Sequence, residues 1–268
     1  MNDKQHHQKS WLLYLVLLLS AGAYYLLSYQ TSRDNFPQVF SLFTILFAGY
    51  YVFYKFFSAT HFTYLVIAGI SFRLLLLFSV PNLSDDVYRF VWDGRLAANG
   101  INPFNHLPSE IMQMPPVLGL TKELFEKLNS PNYYAIYPPV MEGVFWLAGK
   151  LFSANVFGSI VFLKCIIVLF ELAIFCLLLQ LLKKLSLPKH LSLLYILNPL
   201  VITELTGNSH FEGVMIFFVL LSFLLLIQNK WQVSAIFLGA GVATKLIPVL
   251  FLPLIFRSEE HTSELQSR

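Results

Sequence analysis

Charge is what this sequence has least of. Asp, Glu, Lys and Arg make up 12% of its 268 residues and hydrophobic residues 56%, whereas a soluble globular chain carries about 25% charged residues. That scarcity excludes a single soluble core and places the chain in the membrane class. Cysteine is nearly absent too. Cys165 and Cys176 lie eleven positions apart on one predicted helix, a separation of about 16 Å at ~1.5 Å rise per residue, which excludes a mutual disulfide. Neither has a metal-ligand partner nearby in sequence, so redox compartment is not legible. Nucleotide motifs are missing: Gly239-Ala240-Gly241 lacks the third glycine of a dinucleotide loop, and Thr244-Lys245 lacks the Gly-Lys pairing of a phosphate loop. This excludes a cytosolic nucleotide-sugar site. The net charge of +3, scattered between apolar runs, excludes nucleic acid as a partner. There is no internal repeat of the kind that marks secondary transporters.

What is there is a series of apolar runs long enough to cross a bilayer, which takes about 20 residues. We expect an all-α polytopic bundle of about seven spans, with the first from Trp11 to Ser28 after a polar, basic segment that argues for a cytoplasmic start. Ala21, Gly22 and Ala23 also resemble a signal-peptidase site; either way the following chain begins outside. Phe36–Phe57 and His61–Val80 follow, joined by a short turn that puts Lys55 inside. Residues 82–138 then form one long polar loop on the outer face, and long loops among short ones usually hold function. Pro138–Phe152 is apolar but short and reads as an interfacial or re-entrant helix. With that choice the span Asn155–Leu182 exits at Lys183, Lys184 and Lys189 on the cytoplasmic side. Leu191–Leu205, Phe211–Ile227 and Trp231–Phe256 complete the set, returning Gly207–His210 to the outer face. The tail Arg257–Arg268, RSEEHTSELQSR, reads like the in-frame translation of a sequencing adapter. It is set apart from the membrane domain, 1–256.

Three segments carry chemistry-bearing side chains. In Ser84–Asn105, Ser84 caps a helix whose apolar stripe is Val87, Phe90, Val91 and Ala98 and which Gly100 ends, giving an amphipathic helix on the membrane surface. Asp85 and Asp86 occupy its first turn, Asp93 shares the face of Asp86, and Arg89 stands four residues after Asp85. Glycosyl transfer from a lipid phosphate needs a base to take the acceptor proton and positive charge on the leaving phosphate. Asp85 and Asp86 suit the first role, and Arg89, Arg95, His210 and Lys245 the second. The plainer alternative is a helix start whose acids pair with Arg89. In Tyr133–Glu142, Tyr137 either anchors an interfacial helix begun by Pro138 and Pro139 or lines a donor groove.

The third segment, Asn198–Glu212, gathers Glu204, Asn208 and His210 at a helix end, where an imidazole suits a phosphate or a sugar hydroxyl. Lys245 lies within the last apolar run, where a cation is costly, and is expected to bind donor phosphate or to pair with Glu171 or another buried acid. Lys164 and Glu171 share a helix face and are expected to pair with each other, and Arg73 to snorkel to the interface. The pattern requires neither metal nor cofactor.

The succession SDDVYRFVWDGRLAANGINPF, IYPPV, LNPLVITELTGNSHFEG and ATKLIPVLFLP resembles the bacterial GT-C glycosyltransferases, particularly mannosyltransferase-like members that use polyprenyl-phosphate sugars. The resemblance runs from about Pro81 to Pro253. It implies a helical membrane fold, an aspartate motif in an external loop, and inversion at the sugar carbon, with Asp85 or Asp86 as the base and the neighbouring acid positioning the acceptor. It further implies a bacterial inner-membrane enzyme whose site faces the periplasm, with a polyprenyl-phosphate-linked donor, a glycan or lipid-linked acceptor and membrane lipid as partners. Two spans precede the motif beyond the family's pattern, and the family's later C-terminal spans are missing, so the chain is expected to be the N-terminal part of a longer protein. Two rival readings remain: a membrane acyltransferase using His210 and Asn208, and a transporter or flippase of lipid-linked sugars.

Overall fold

The computed structural model describes residues 2–251, with side chains from Trp11 to Leu250. The adapter-like tail lies outside the described residues. Among them every regular element is a helix. The chain opens with α1 (Asn2–Tyr29) and α2 (Phe36–Val52), the latter continued by a π-turn at Phe53–Phe57. Asn35 caps α2 by accepting from the Gln38 amide, and Pro37 occupies its first turn, where a missing N–H costs nothing. α3 (Phe62–Leu76) leads into the polar loop. That loop holds α4 (Asp86–Ala98), α5 (Pro108–Ile111) and α6 (Lys122–Phe125), and α7 (Pro139–Leu151) follows it. α8 (Val156–Lys184) starts at an Asn155 cap and ends in two lysines. Short pieces follow, α9 (Leu193–Ile196), α10 (Pro199–Val201) and a π-helix at Ile202–Gly207, then α11 (Glu212–Ile227) and α12 (Trp231–Val242).

Among the described residues three helical runs are long and apolar enough to cross a membrane: Trp11–Tyr29, Phe36–Phe57 and Val156–Lys184. Pro199–Gly207 and Glu212–Ile227 make a fourth only when taken together across a bend of 116°. The other expected crossings are shorter as helices: Phe62–Leu76 has 15 residues and Trp231–Val242 has 12. The expected crossing at Leu191–Leu205 is divided among a 3-10 turn, α9, α10 and the π-helix. α7, with 13 residues, rises only about 20 Å and is too short to cross a ~30 Å hydrocarbon layer, in keeping with an interfacial placement.

Among the described residues two large apolar cores stand beside a small one at Leu177, Leu181 and Leu224. One large core joins α1, α2, α3 and α9 around Tyr24, Leu27, Phe57, Leu65 and Leu76. The other joins α4, α7 and α8 around Trp92, Leu96, Phe145 and Leu163. α4 departs from the expected surface helix, since every residue from Val87 to Leu96 is buried. The cause is close packing against α7. A Cβ on Gly94 would lie 2.1 Å from the Phe145 carbonyl oxygen, and one on Gly149 would lie 2.3 Å from the Gly94 carbonyl oxygen. With glycine at both positions the backbones touch, and the loop covers the remaining face of α4.

Buried charges also choose other partners than expected. Arg73 does not reach an interface: it is wholly buried and paired with Glu171 at 2.7 Å. Lys164 does not pair with Glu171. It donates to Leu76 O at 3.0 Å, Ser79 O at 2.7 Å and Ser79 Oγ at 2.8 Å. Seven positions along one helix put about 10 Å between Lys164 and Glu171, so each finds partners on or just after α3 instead. Cys165 and Cys176 are free thiols.

Candidate active site

The polar loop and the 116° bend meet at one cleft of about 420 Å³. Phe90, Ile136, Pro138, Met141, Phe145, Phe211, Leu246 and Ile247 form its apolar wall, and Asp86, Tyr137, His210, Glu212, Thr244 and Lys245 its polar groups. Stacked and edge-on rings stiffen the apolar side: Phe90 lies 4.6 Å from Phe145 and 5.0 Å from Tyr137, centroid to centroid.

Asp86 reaches the cleft because it is the first residue of α4. Its backbone amide donates to Ser84 Oγ at 3.3 Å, and its carboxylate accepts from Asn129 Nδ2 at 2.6 Å. His210 faces it from the break between the π-helix and α11, with Nε2 3.7 Å from Asp86 Oδ2 and 3.2 Å from Ser84 Oγ. The other ring nitrogen, Nδ1, lies 3.1 Å from Glu204 Oε2, and Asn208 Nδ2 donates to Glu204 Oε1 at 3.3 Å. Ser209, at φ 61°, turns the chain through the left-handed region and so aims His210 at Asp86. The hydrogen bond to Glu204 raises the imidazole above its ordinary pKa, against the opposing pull of burial. The imidazolium is thereby favoured next to two carboxylates.

The remaining candidates divide between cleft and scaffold. Lys245 is on the cleft, paired with Glu212. It does not lie deep in a span, because α12 stops at Val242, and it does not pair with Glu171; Pro248, unable to donate a backbone hydrogen bond, follows within the next turn. Tyr137 lines the cleft, its hydroxyl pKa raised chiefly by burial and next by Asp86. Asp85 turns away and pairs with Arg33 from the turn between α1 and α2.

Arg89 pairs with neither first-turn acid. Its Nε donates to both Asp93 oxygens at 2.9 Å and its Nη1 to the carbonyls of Ser130 at 3.0 Å and Tyr133 at 2.9 Å. Arg95 donates to Gly119 O at 2.5 Å and Phe152 O at 3.4 Å. Both arginines pin the loop to the helix layer behind the cleft.

Sequence reasoning missed three groups. Glu212, the partner of Lys245, looks in sequence like an ordinary acidic helix start, a signal too common to single out. Asn129 is 43 residues from Asp86 and has no local pattern that pairs them. Glu142 is buried on α7, and neither carboxyl oxygen has a hydrogen-bond partner among the described residues. Burial foremost, and then Asp93, pushes its carboxyl up to about 8, while burial moves Asp93 to about 6 against the pull of Arg89. Glu142 therefore carries a proton at neutral pH. Among the described residues no group of three or more His, Cys, Asp or Glu is arranged to hold a metal ion.

The cleft thus joins one apolar wall to an acid–imidazole edge, in a chain with helices long and apolar enough to cross a membrane. Residues 38–258 match the family described as Alpha-(1->6)-mannopyranosyltransferase, N-terminal domain, and the chain belongs to that family. It is a glycosyltransferase of mannosyltransferase-like GT-C type. No curated protein and no solved structure matches the chain.

Proposed function

We propose that the protein transfers mannose from a polyprenyl-phosphate donor to a glycan or lipid-linked acceptor at the outer face of a bacterial inner membrane. The single observation that carries this reading is the two-sided cleft, apolar along Phe90, Met141, Phe145 and Leu246 and polar at Asp86, His210 and Lys245. An isoprenoid phosphate has the same division between tail and head. The seven-span reading, which counts the shorter apolar helices and the bent pair as crossings, sets the polar loop and His210 on that outer face, where positive-inside counting puts both.

In the proposed reaction Asp86 accepts the proton of the acceptor hydroxyl as its oxygen attacks the sugar's anomeric carbon. The bond from that carbon to the phosphate oxygen breaks, and the polyprenyl phosphate leaves with the bonding electrons. His210, held cationic by Glu204, and Lys245, released from Glu212, meet the charge on the departing phosphate. Asp86 is the better base of the two adjacent acids because Asp85 is engaged by Arg33 outside the cleft. One displacement inverts the anomeric carbon, so a β-linked mannosyl phosphate yields the α-linkage in the family's description.

Membranes containing the full-length chain, given labelled polyprenyl-phosphate mannose or labelled GDP-mannose together with an acceptor, test the donor. Label entering an α-linked product from the lipid donor alone is the expected result. Direct use of GDP-mannose, in membranes unable to make the lipid donor, would overturn it. Uptake of label across the bilayer without a new glycosidic bond would favour the transporter reading.

A further inference from the structure

Among the described residues, α8 carries two wholly buried charges that line no part of the cleft. Lys164 spends its three protons on Leu76 O, Ser79 O and Ser79 Oγ, at 2.7–3.0 Å. Glu171 accepts from Arg73 Nε at 2.8 Å through Oε1 and from Thr206 Oγ1 at 2.5 Å through Oε2. Arg73 in turn donates through Nη1 to Gly69 O at 2.9 Å and Ile196 O at 2.6 Å. Arg73, Lys164, Glu171 and Thr206 are each 0% exposed and Ser79 is 1% exposed. In an apolar layer such groups have no water to fall back on, so these bonds hold in one geometry.

The places where the bonds end are informative. Ser79 begins the connection from α3 to the aspartate pair, seven residues before Asp86. Thr206 lies in the π-helix, four residues before His210 and two after Glu204. Lys164 and Glu171 are two turns apart on one face of a continuous helix. Beside the bonds that tie α8 to α3 at Leu76 and Arg73, each residue has one partner beyond α3, Ser79 for Lys164 and Thr206 for Glu171, in the two segments that deliver the two sides of the cleft.

We propose that Lys164 and Glu171 are positioning residues that fix, through Ser79 and Thr206, the separation between Asp86 and His210. The proposal rests on the reading of Asp86 as the base and His210 as a phosphate-facing cation. α8 acts as a ruler, and the 3.7 Å approach of Asp86 and His210 is set by the spacing of two buried side chains that never touch substrate.

The test uses the full-length protein in membranes and compares Thr206→Val, which keeps the shape and loses the donor, with Thr206→Ser, which keeps the hydroxyl, alongside Ser79→Ala. The first readout is mannosyl transfer resolved into kcat and KM. The second, independent of activity, is the rate of disulfide formation between Asp86→Cys and His210→Cys in a chain carrying Cys165→Ser and Cys176→Ser. Because misplacement of about 1 Å can cost up to ~100-fold in rate, Thr206→Val should lower kcat about tenfold with KM within about twofold, and Ser79→Ala, which leaves Lys164 its carbonyl acceptors at Ser79 and Leu76, should lower it about threefold. Both should slow disulfide trapping several-fold, and Thr206→Ser should restore kcat and trapping. Wild-type kcat and trapping in Thr206→Val and Ser79→Ala would overturn the proposal. So would equal loss in Thr206→Ser and Thr206→Val, which marks a role in folding only. Full activity of Asp86→Asn with trapping still slowed by Thr206→Val would sink the base assignment and leave the ruler standing.

Discussion

The charges within the apolar helices and the charges around the cleft are built to opposite specifications. Arg73, Lys164 and Glu171 are wholly buried, and each makes two or more polar bonds to fixed partners. Asp86, His210, Glu212 and Lys245 are partly exposed, paired with other groups that also reach solvent, and open to the same cleft. A buried charge with its partners satisfied has no capacity left for a ligand. A half-exposed pair such as Lys245–Glu212 can exchange its partner for a phosphate at little cost, because exposed pairs are worth only about 0–1 kcal/mol. The difference separates scaffold from chemistry more sharply than residue type does, since lysine and glutamate occur in both sets.

Breaking the buried set should produce the largest effect. Arg73→Ala leaves Glu171 buried without its cation, a change that costs about 3–5 kcal/mol. Loss of folded protein on detergent extraction, read by size exclusion, is the expected outcome, whereas Lys245→Ala should extract like wild type. A normally folded Arg73→Ala chain would contradict the division.

A change within the cleft should alter chemistry and leave the fold intact. Glu204→Gln removes the charged hydrogen bond that raises His210. A raised imidazole stays cationic to higher pH and loses its proton as pH passes the raised value. The substitution should therefore move the alkaline limb of the pH–rate profile to lower pH, with maximal transfer at low pH reduced less than tenfold, an order typical of one lost hydrogen bond to a charge. An unchanged alkaline limb would remove His210 from the titrating machinery.

A change in stability alone, without a change in chemistry, is expected behind the cleft at Glu142. Its folded carboxyl is pushed up to about 8, so between the unfolded value near 4.3 and that point the unfolded chain loses its proton and the folded chain keeps it. Stability should fall as pH rises through this window. Glu142→Gln, which cannot ionise, should melt higher than wild type at pH 8 and equally at pH 4. A wild-type advantage at pH 8 would mean that the carboxylate is ionised and held by a partner.

The same contrast explains how much was legible in the sequence. Apolar runs such as Phe36–Phe57 and Val156–Lys184 fold as read, because length and hydropathy are local properties. Asp86, Tyr137, His210 and Lys245 were singled out as polar groups set in or beside apolar runs, and one cleft collects them. Partnerships were not legible. Arg73–Glu171 spans 98 residues and Lys164–Ser79 spans 85, and nothing at either end of such a pair encodes the other. The helix-period rule that suggested Lys164–Glu171 describes neighbours on one helix, whereas partners on α3 lay closer. The burial of α4 depended on Gly94 meeting α7, a contact visible only once both helices are placed.

The most direct measurement of the central claim compares Asp86→Asn with Asp85→Asn in full-length chains matched for expression, following transfer of labelled mannose from polyprenyl phosphate. Loss of a general base costs about 10²–10⁴-fold. Asp86→Asn should fall by that order, while Asp85→Asn, which loses only an exposed pairing with Arg33, should stay within about threefold of wild type. Full activity in Asp86→Asn, or the larger loss in Asp85→Asn, would contradict the assignment of the base to the residue that opens onto the cleft.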